Sequence, residues 1–506
     1  MRIEGDAGGA RIAERRSKSR WLVSCTGGAA MRSRSIPWRT ILVSTVTLAA
    51  GFAQVAGCTS DDGGSGGDGG SDDATTPADG DTEDRAVPGA DASSQRDGRA
   101  DGDASDGGPS DASTEAADAG DAADASDAAD ADAGHDAGPT TDLYDPTIVP
   151  KLELTFDAAA MAVLSSTLEA DQKKWVHGTF TYGAIVIPDV GVRRKGSSTF
   201  RALPQKAAFK IRFDKYVAGQ TLQGLTDLTL NNSVSDPTFL AERLTYHVFR
   251  STGLPAQKCN SAEVTINGDP YGLYVNVETP NAQLISRLFG ANAKTLYEVN
   301  YGSQWMPGSE DGFEEDVGDG TKADVTALFG AVQAANDATL LADVAARLDT
   351  TEWLHFSAAE ATVGHYDGYG FGIWGSHNYF MAGNQGGAFS LIPWSTDLTL
   401  SDREGVVDAN APKNTAGGQS ILLVRCKQTA SCWNAYKDAV KDVLATYEGL
   451  DLVTLAQTWH AQVHPYVLAD PKREATLGYY NSETTLLYGW LAARPGVVRA
   501  QLGIAP

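Results

Sequence analysis

Aromatic residues are missing from a long stretch near the start of this 506-residue chain. Residues 59–142 consist almost entirely of Asp, Ala, Gly and Ser, and they hold 24 of the 65 acidic residues of the chain. A segment without large apolar side chains cannot bury enough surface to offset the entropy that folding removes. We therefore predict a disordered tether at 58–142 and a folded domain at 143–506.

The net charge of −25 follows the same division. Most of this charge belongs to the tether, and the folded part is only mildly acidic. The net negative charge therefore indicates that the tether is soluble and self-repelling, and it is no evidence about a substrate. Nothing in the charge pattern suggests nucleic-acid binding, so no nucleic-acid partner is predicted.

Several familiar catalytic motifs are also absent. The predicted folded domain has neither a Gly-x-Ser-x-Gly elbow nor a P-loop. His460 and His464 have helical spacing, but residue 461 is Ala where a zincin requires Glu, so we interpret them as surface histidines. The glycines of 364–375 lack the strand-to-helix context of a dinucleotide fingerprint and indicate a mobile loop. Hydrolase and dinucleotide-binding functions are therefore disfavoured.

The amino terminus carries an export signal that starts at Met31. Three arginines precede a largely apolar, uncharged run at 40–56, and residues 55–58 (VAGC) resemble a bacterial lipobox, whose Cys is lipidated. The run is short for the roughly 20 apolar residues of a membrane-spanning helix, which favours a lipid anchor. We predict a mis-called start plus signal peptide at 1–57, lipidation of Cys58, and a lipid-anchored position at the outer membrane or cell surface.

Cysteine is scarce, with five in the chain and three in the predicted folded domain. Cys426 and Cys432 have five residues between them, which suits a small disulfide-closed loop in an exported protein, and Cys259 is left over. No further Cys or His gives the spacing of a zinc site.

Apolar alternation predicts strands mainly in the first half of the folded part. The predicted strand segments are 151–157, 177–192, 207–213, 227–232, 389–392 and a hairpin of 262–266 with 272–278. Helices are predicted at 158–174, from an Asp236 cap to 252, and at 281–289, 324–348, 352–365 and beyond 420. Strands mostly first and helices mostly last indicate an α+β fold with a helical lobe.

The predicted strand 207–213 separates two kinds of side chain, because successive residues of a strand point to opposite faces. One face holds Ala207, Phe209, Ile211 and Phe213, and the other holds Lys206, Ala208, Lys210 and Arg212. We expect the first face in the core. A basic strand face is usually solvated, so the second face is expected in water unless it binds a ligand.

The order of several short motifs resembles the CotH kinase family, atypical protein kinases first associated with bacterial spore coats. These motifs are 192–198 (VRRKGSS), 204–206 (PQK), 210–213 (KIRF), 266–268 (ING), 271–274 (YGLY), Glu278, 364–369 (GHYDGY), 378–380 (NYF) and 392–397 (IPWSTD). The resemblance covers nearly all of 145–506. It implies an atypical protein-kinase-like domain with a strand-rich N-terminal part and a mainly helical C-terminal part.

The resemblance, together with the needs of phosphoryl transfer, assigns roles to individual residues. The reaction needs cations on the nucleotide phosphates, oxygen ligands for Mg²⁺ or Mn²⁺, and a carboxylate beside the acceptor hydroxyl. The predicted cofactor-binding residues are Arg194, Lys206 and Lys210, with Glu278 orienting a lysine. The predicted catalytic residues are Asp367 and Asp397, and the predicted metal ligands are Asn378 and Asp397.

Two departures from the family pattern bear on activity. Ser395 stands where many members have a first Asp, and residues 370–375 lengthen the interval between Asp367 and Asn378. The function implied is a surface-anchored, ATP-dependent kinase that phosphorylates hydroxyl side chains of exported or envelope proteins. The alternative is a non-catalytic, kinase-like surface lipoprotein that binds envelope proteins or polysaccharide.

Overall fold

The computed structural model describes residues 142–372, 375–402, 408–411 and 420–505. The predicted signal peptide, the predicted lipidation site Cys58 and the predicted tether, apart from its last residue, lie outside the described residues. Within the described ranges, no helix is both long and apolar enough to cross a membrane.

Seven of the described strands close into a barrel in the order β1-β2-β3-β4-β5-β7-β6. They are β1 Lys151–Thr155, β2 Val176–Tyr182, β3 Ile185–Lys195, β4 Ala208–Arg212, β5 Asp227–Asn231, β6 Cys259–Ile266 and β7 Asp269–Val277. Neighbours pair antiparallel except β1 and β6, whose parallel pairing closes the barrel. Closure leaves the barrel without an open sheet edge.

For β4, the prediction of an apolar core face is confirmed. Phe209 and Ile211 are fully buried in the barrel core, as the alternation predicts. On the other face, however, Lys210 is also buried, and so is Lys206 just before the strand. The expectation of a solvated basic face is wrong, because other parts of the fold cover the outside of the barrel here.

A second, four-stranded antiparallel sheet has the order β11-β10-β8-β9. Its strands are β8 Ala293–Val299, β9 Phe313–Val317, β10 Tyr379–Asn384 and β11 Phe389–Pro393. Only β11 was predicted from the sequence. The FEEDV sequence of β9 is rich in acidic residues, which are depleted in strands. Tertiary pairing with β8 therefore overrides the local preference of β9.

The helices pack against both sheets and against one another, and they form most of the C-terminal half. They are α1 Ala158–Ser165, α2 Glu169–Gln172, α3 Ala241–Ser251, α4 Ala282–Phe289, α5 Ala323–Ala334, α6 Leu340–Val344, α7 Thr350–Val363, α8 Ile421–Gln428, α9 Ala430–Gly449, α10 Leu452–Ala469 and α11 Leu477–Leu502. The predicted α+β architecture, strand-rich first and helical last, is confirmed.

Several local predictions need correction, among them the helix predicted at 158–174, which is interrupted between α1 and α2. Asp236 does not begin a helix, because its carboxylate accepts hydrogen bonds from the main-chain N–H groups of Thr238 and Ala241 and forms a turn before α3. The helix predicted at 324–348 is interrupted between α5 and α6. His460 and His464 are half-buried rather than surface residues, since they bind the hydroxyls of two tyrosines on α11.

Candidate active site

A cleft lies where the end of β3 meets the loops that follow α7 and β11. Its lining residues are Lys195, Gly196, Ser197, Ser198, Thr199, Ser235, Asp367, Trp394, Ser395, Asp397 and Leu398. The fold thus brings the two predicted catalytic carboxylates, Asp367 and Asp397, together with a Gly-Ser-Ser loop that is distant in sequence.

Asp367 is held on two sides although it lies in a loop. Nδ2 of Asn378 donates to Oδ2 of Asp367 at 2.9 Å and to its main-chain carbonyl at 3.0 Å. Nε2 of His377 lies 2.8 Å from Oδ1, while Nδ1 of the same ring lies 3.1 Å from the Gly375 carbonyl oxygen. The carboxylate of Asp367 is therefore restrained by its neighbours, and only 4% of the residue is exposed.

Asp397 follows β11 and accepts a hydrogen bond from Ser395 Oγ at 3.2 Å. Burial raises the pKa of Asp397 to about 6, and the negative charge of Asp367 acts in the same direction. Lys195 and the bond from Ser395 oppose this rise. The two carboxylates therefore repel each other across the cleft, which is the situation that a bound cation relieves.

The oxygen atoms of the cleft fit a hard divalent cation. Oδ1 of Asn378 is buried and has no hydrogen-bond partner within the described part of the chain. Mg²⁺ in proteins is commonly held by one or two carboxylates plus substrate phosphates, which matches Asp397 with the Asn378 amide oxygen. The described residues contain no group of three or more His, Cys, Asp or Glu side chains placed to hold a metal. The remaining ligands would therefore have to come from the substrate or water.

Lys195 is the cation of this cleft, and sequence reasoning did not select it. Its Nζ donates to Asn231 Oδ1 at 2.7 Å, and Asn231 Nδ2 donates to both carboxylate oxygens of Glu242 at 2.8 and 3.0 Å. Burial raises the pKa of Glu242 well above its ordinary value, and the charge of Asp397 adds to the rise. The position of Lys195 directly before Gly-Ser-Ser at a strand end was the signal that could have identified it.

The model of the family described as CotH kinase protein matches residues 192–498, which include every residue of this cleft. The chain belongs to the CotH kinase family. The membership predicted from the ordered motifs is thereby confirmed.

Two curated relatives of this CotH family member come from Bacillus subtilis (strain 168). Inner spore coat protein H is 22% identical over 303 residues, which cover 56% of this chain and 81% of the relative. Inner spore coat protein H-like protein is 34% identical over 80 residues, covering 16% of this chain and 24% of that protein.

Two solved structures show a weaker similarity. The Helicobacter pylori proinflammatory kinase CtkA has a TM-score of 0.27 at 10% identity, covering 58% of this chain and 94% of that chain. HipA, solved with HipB and operator DNA from Shewanella oneidensis MR-1, has a TM-score of 0.26 at 12% identity and 67% coverage of both chains.

Arg194 does not line the cleft of this CotH family member, although it was predicted to bind the cofactor. Its guanidinium donates to the main-chain carbonyls of Ser166, Val163 and Asp171 at 2.6, 3.1 and 2.8 Å. These contacts tie β3 to the end of α1 and to α2. The Arg194 side chain is fully buried, and its hydrogen bonds stabilise the packing of these elements.

Lys206 is likewise engaged away from the cleft. Its ammonium forms a buried ion pair with Asp470, just beyond α10, and lies 4.7 and 5.2 Å from the ring centroids of Phe239 and Tyr274. Burial lowers the pKa of Lys206, and the charge of Asp470 opposes that effect. The pair joins the barrel to the C-terminal helices.

Glu278 and Lys210 complete the predicted set, and neither lines the cleft. Glu278 binds the guanidinium of Arg287 through Oε1 at 2.7 Å and Oε2 at 2.5 Å, so the predicted lysine partner is wrong. The reason is that α4 places Arg287 beside the end of β7. Lys210 pairs with Arg193 across the β3–β4 ladder. Burial raises the pKa of Glu314, and the positive charges of Lys210 and Arg193 act to lower it.

The structure joins Cys426 and Cys432 in a disulfide with a Cα–Cα distance of 5.0 Å. This bond links the last turn of α8 to the first turn of α9. Cys259 is a free, buried thiol whose pKa is raised by burial.

Proposed function

We propose that this CotH family member is a protein kinase that uses ATP with Mg²⁺ or Mn²⁺ and phosphorylates hydroxyl side chains of exported or envelope proteins. The observation that carries the proposal is the cleft that Asp367 and Asp397 line together with Lys195 and the Gly-Ser-Ser loop, with Asn378 bound to Asp367 behind it. Its parts match the needs of phosphoryl transfer, which is largely positioning and charge stabilisation.

The phosphate groups would lie against Lys195 and the loop at 196–199. Gly196 has a φ of +98°, and a Cβ there would stand 2.7 Å from Thr199 Oγ1, so the tight turn requires glycine. The loop is closed by a hydrogen bond from the Phe200 N–H to the Ser197 carbonyl at 3.1 Å. Small side chains and a turn of this kind allow a phosphate to approach the backbone closely.

Asp367 is the proposed base that accepts the proton of the acceptor hydroxyl. Asn378 fixes the carboxylate through its amide N–H₂ and still has its Oδ1 available, and Asp397 supplies the second carboxylate. The divalent ion, held by Asp397 and Asn378, would neutralise charge on the transferring phosphate. Asp397 is thus both catalytic and metal-binding in this proposal.

The contact of Lys195 with Glu242 through Asn231 supports the assignment of Lys195 to the phosphates. Protein kinases orient a strand lysine with a helix glutamate, and here a lysine on β3 and a glutamate on α3 are joined by an amide bridge. Because Glu242 is only 1% exposed, this arrangement holds Lys195 from the protein side, at the position where Lys195 lines the cleft.

The proposed setting is the cell envelope. The kinase-like domain at 143–506 would be joined by the acidic tether at 58–142 to a lipid on Cys58, with this lipid as its only membrane contact. The spore-coat names of the two relatives support an envelope or coat position.

A second candidate function is a non-catalytic surface module that binds envelope proteins or polysaccharide. Ser395 favours it, because this side chain lines the cleft and hydrogen-bonds Asp397 where a second metal-binding carboxylate would otherwise stand. In that case the fold would be retained for binding while phosphoryl transfer is lost.

Labelled phosphate transfer separates the two candidates. The purified protein would be incubated with γ-labelled ATP, Mg²⁺ or Mn²⁺ and casein, beside Asp367→Ala, Asp397→Ala and the exposed control Asp438→Ala. A kinase transfers label in the wild type and the control, and loses at least about 100-fold in the other two variants while thermal melting shows them folded. No transfer and no Mg²⁺-dependent thermal shift with ATP would favour the binding module.

A further inference from the structure

A buried carboxylate of α7 contacts the loop that carries Asp367. Glu360 is fully buried, and its Oε1 accepts the Tyr369 N–H at 2.8 Å while its Oε2 accepts the Gly370 N–H at 2.7 Å. Oε1 also lies 3.2 Å from Nδ1 of His365, which is fully buried as well. Both oxygens of Glu360 are therefore committed to the loop.

These contacts bracket Asp367 in the chain. His365 comes two residues before Asp367, and the two N–H donors come two and three residues after it. Hydrogen bonds from main-chain N–H groups to a carboxylate are among the stronger ones in proteins, and their loss in a buried place leaves a donor unsatisfied. Glu360 thus restrains the backbone on both sides of the proposed base.

Two glycines of the loop leave room for the Glu360 carboxylate. A Cβ on Gly368 would stand 2.3 Å from Glu360 Oε1 and 2.4 Å from His365 Nδ1. A Cβ on Gly370 would stand 3.4 Å from Glu360 Oε2 and 2.9 Å from Leu423 of α8. The Glu360 carboxylate can lie this close to the backbone of residue 368 only because that residue has no side chain. The position of Glu360 therefore explains why residue 368 is glycine.

The helix that carries Glu360 is itself anchored. Arg494 of α11 donates to the carbonyls of Thr362 and Ala361 at 3.0 and 2.5 Å, which supplies hydrogen bonds to two carbonyls at the buried C-terminal end of α7. Gly364 ends the helix in the left-handed conformation. The carboxylate therefore acts from a rigid element onto a loop.

We infer that Glu360 is a positioning residue that sets the place of Asp367 for catalysis by holding the Tyr369 and Gly370 N–H groups. The inference rests on the proposed function, because it concerns the base of the proposed kinase. Glu360 does not line the cleft and acts only through the loop.

The test replaces Glu360 by the nearly isosteric Gln. Glutamine offers one acceptor oxygen and a donor N–H₂, so one of the two N–H groups loses its acceptor. Displacement of a reacting group by about 1 Å lowers rates on the order of 100-fold. We expect kcat to fall about 10- to 100-fold in Glu360→Gln, with the KM for ATP changed less than about twofold.

Three further variants make the result specific. Gly368→Ala should lower kcat similarly, since its Cβ would displace the carboxylate from the loop side. In an Asp367→Asn background, Glu360→Gln should have little additional effect, because both changes act on one unit. Glu352→Gln is the control on the same helix, where the carboxylate accepts the Leu391 N–H at 2.9 Å, and it should leave kcat unchanged.

Hydrogen exchange supplies a readout that does not require activity. Glu360→Gln should speed exchange of the Tyr369 and Gly370 amides and leave α11 unchanged. If the wild type transfers phosphate but Glu360→Gln keeps its kcat, or adds its full effect in the Asp367→Asn background, the positioning role is overturned while the kinase proposal stands. If the wild type transfers none, the kinase proposal fails, and unchanged exchange in Glu360→Gln would refute the restraint on the loop as well.

Discussion

Asn378 and Asp367 are joined twice, since one amide nitrogen of Asn378 donates both to the carboxylate and to the main-chain carbonyl of Asp367. A single side chain thereby contacts both the carboxylate of the proposed base and its backbone. The loop between them is longer than the family pattern suggests, and yet the two residues meet. The lengthened interval is therefore accommodated without separating the pair.

Replacement of Asn378 by Ala should damage both catalysis and metal use. The change removes two hydrogen bonds to Asp367 and the buried Oδ1 proposed as a metal ligand. We expect kcat to fall about 100-fold and the Mg²⁺ concentration for half-maximal rate to rise at least about tenfold. Initial rates over a Mg²⁺ series measure both, and the exposed control Asn434→Ala should match the wild type.

Ser395→Asp should strengthen cation binding at the cleft. Ser395 has a φ of +48°, a conformation that Asp tolerates better than most residues, and the new carboxylate would lie beside Asp397. We expect half-maximal activity at lower Mg²⁺ and a larger thermal shift with Mg²⁺ and ATP. Lower stability with no response to Mg²⁺ would show that the cleft does not hold the ion.

Asp397 should make activity and stability depend on pH. Its pKa of about 6 lies above the ordinary value of 3.8, so in the metal-free protein this group favours folding below pH 4 and loses that contribution as pH rises through about 6. Asp397→Asn should therefore raise the melting temperature more at pH 7.5 than at pH 4.5. Wild-type activity should fall as pH drops through 6, because metal binding needs the ionised carboxylate.

Lys195 and Lys206 should respond oppositely to replacement by Met. Lys195→Met removes the cation of the cleft, so the KM for ATP should rise at least about tenfold with a small change in stability. Lys206→Met leaves Asp470 buried without its partner and should lower the free energy of unfolding by about 3 to 5 kcal/mol. Urea denaturation and ATP titration of both variants distinguish these outcomes; a normal ATP response in Lys195→Met would contradict its role.

The disulfide between Cys426 and Cys432 should stabilise the helical part modestly. Closing a loop of this size contributes about 2 kcal/mol through the unfolded chain. Reductant should lower the denaturation midpoint of the wild type and leave a double Ser variant unchanged. Equal midpoints with and without reductant would show that the bond adds no stability.

Local patterns were sufficient for much of the fold. The two-residue alternation of 207–213 placed Phe209 and Ile211 in the barrel, and Asn267-Gly268 marked the turn of the β6–β7 hairpin, where both residues have positive φ. Motif order also led to the family, and to Asp367 and Asp397. By contrast, the acidic β9 gave no strand signal, because its pairing with β8 is a long-range property.

The sequence by itself determined the division into an acidic, aromatic-free segment and a core-forming part, because composition decides whether a chain can bury apolar surface. It also determined which residue types were available for phosphoryl transfer. Only the tertiary structure decided which cation serves the cleft: Lys206 meets Asp470 from the far end of the chain, while Lys195 reaches the cleft beside Asp367 and Asp397. The physical reason is that a charge acts over a few ångströms, and local sequence does not specify which distant residues come that close.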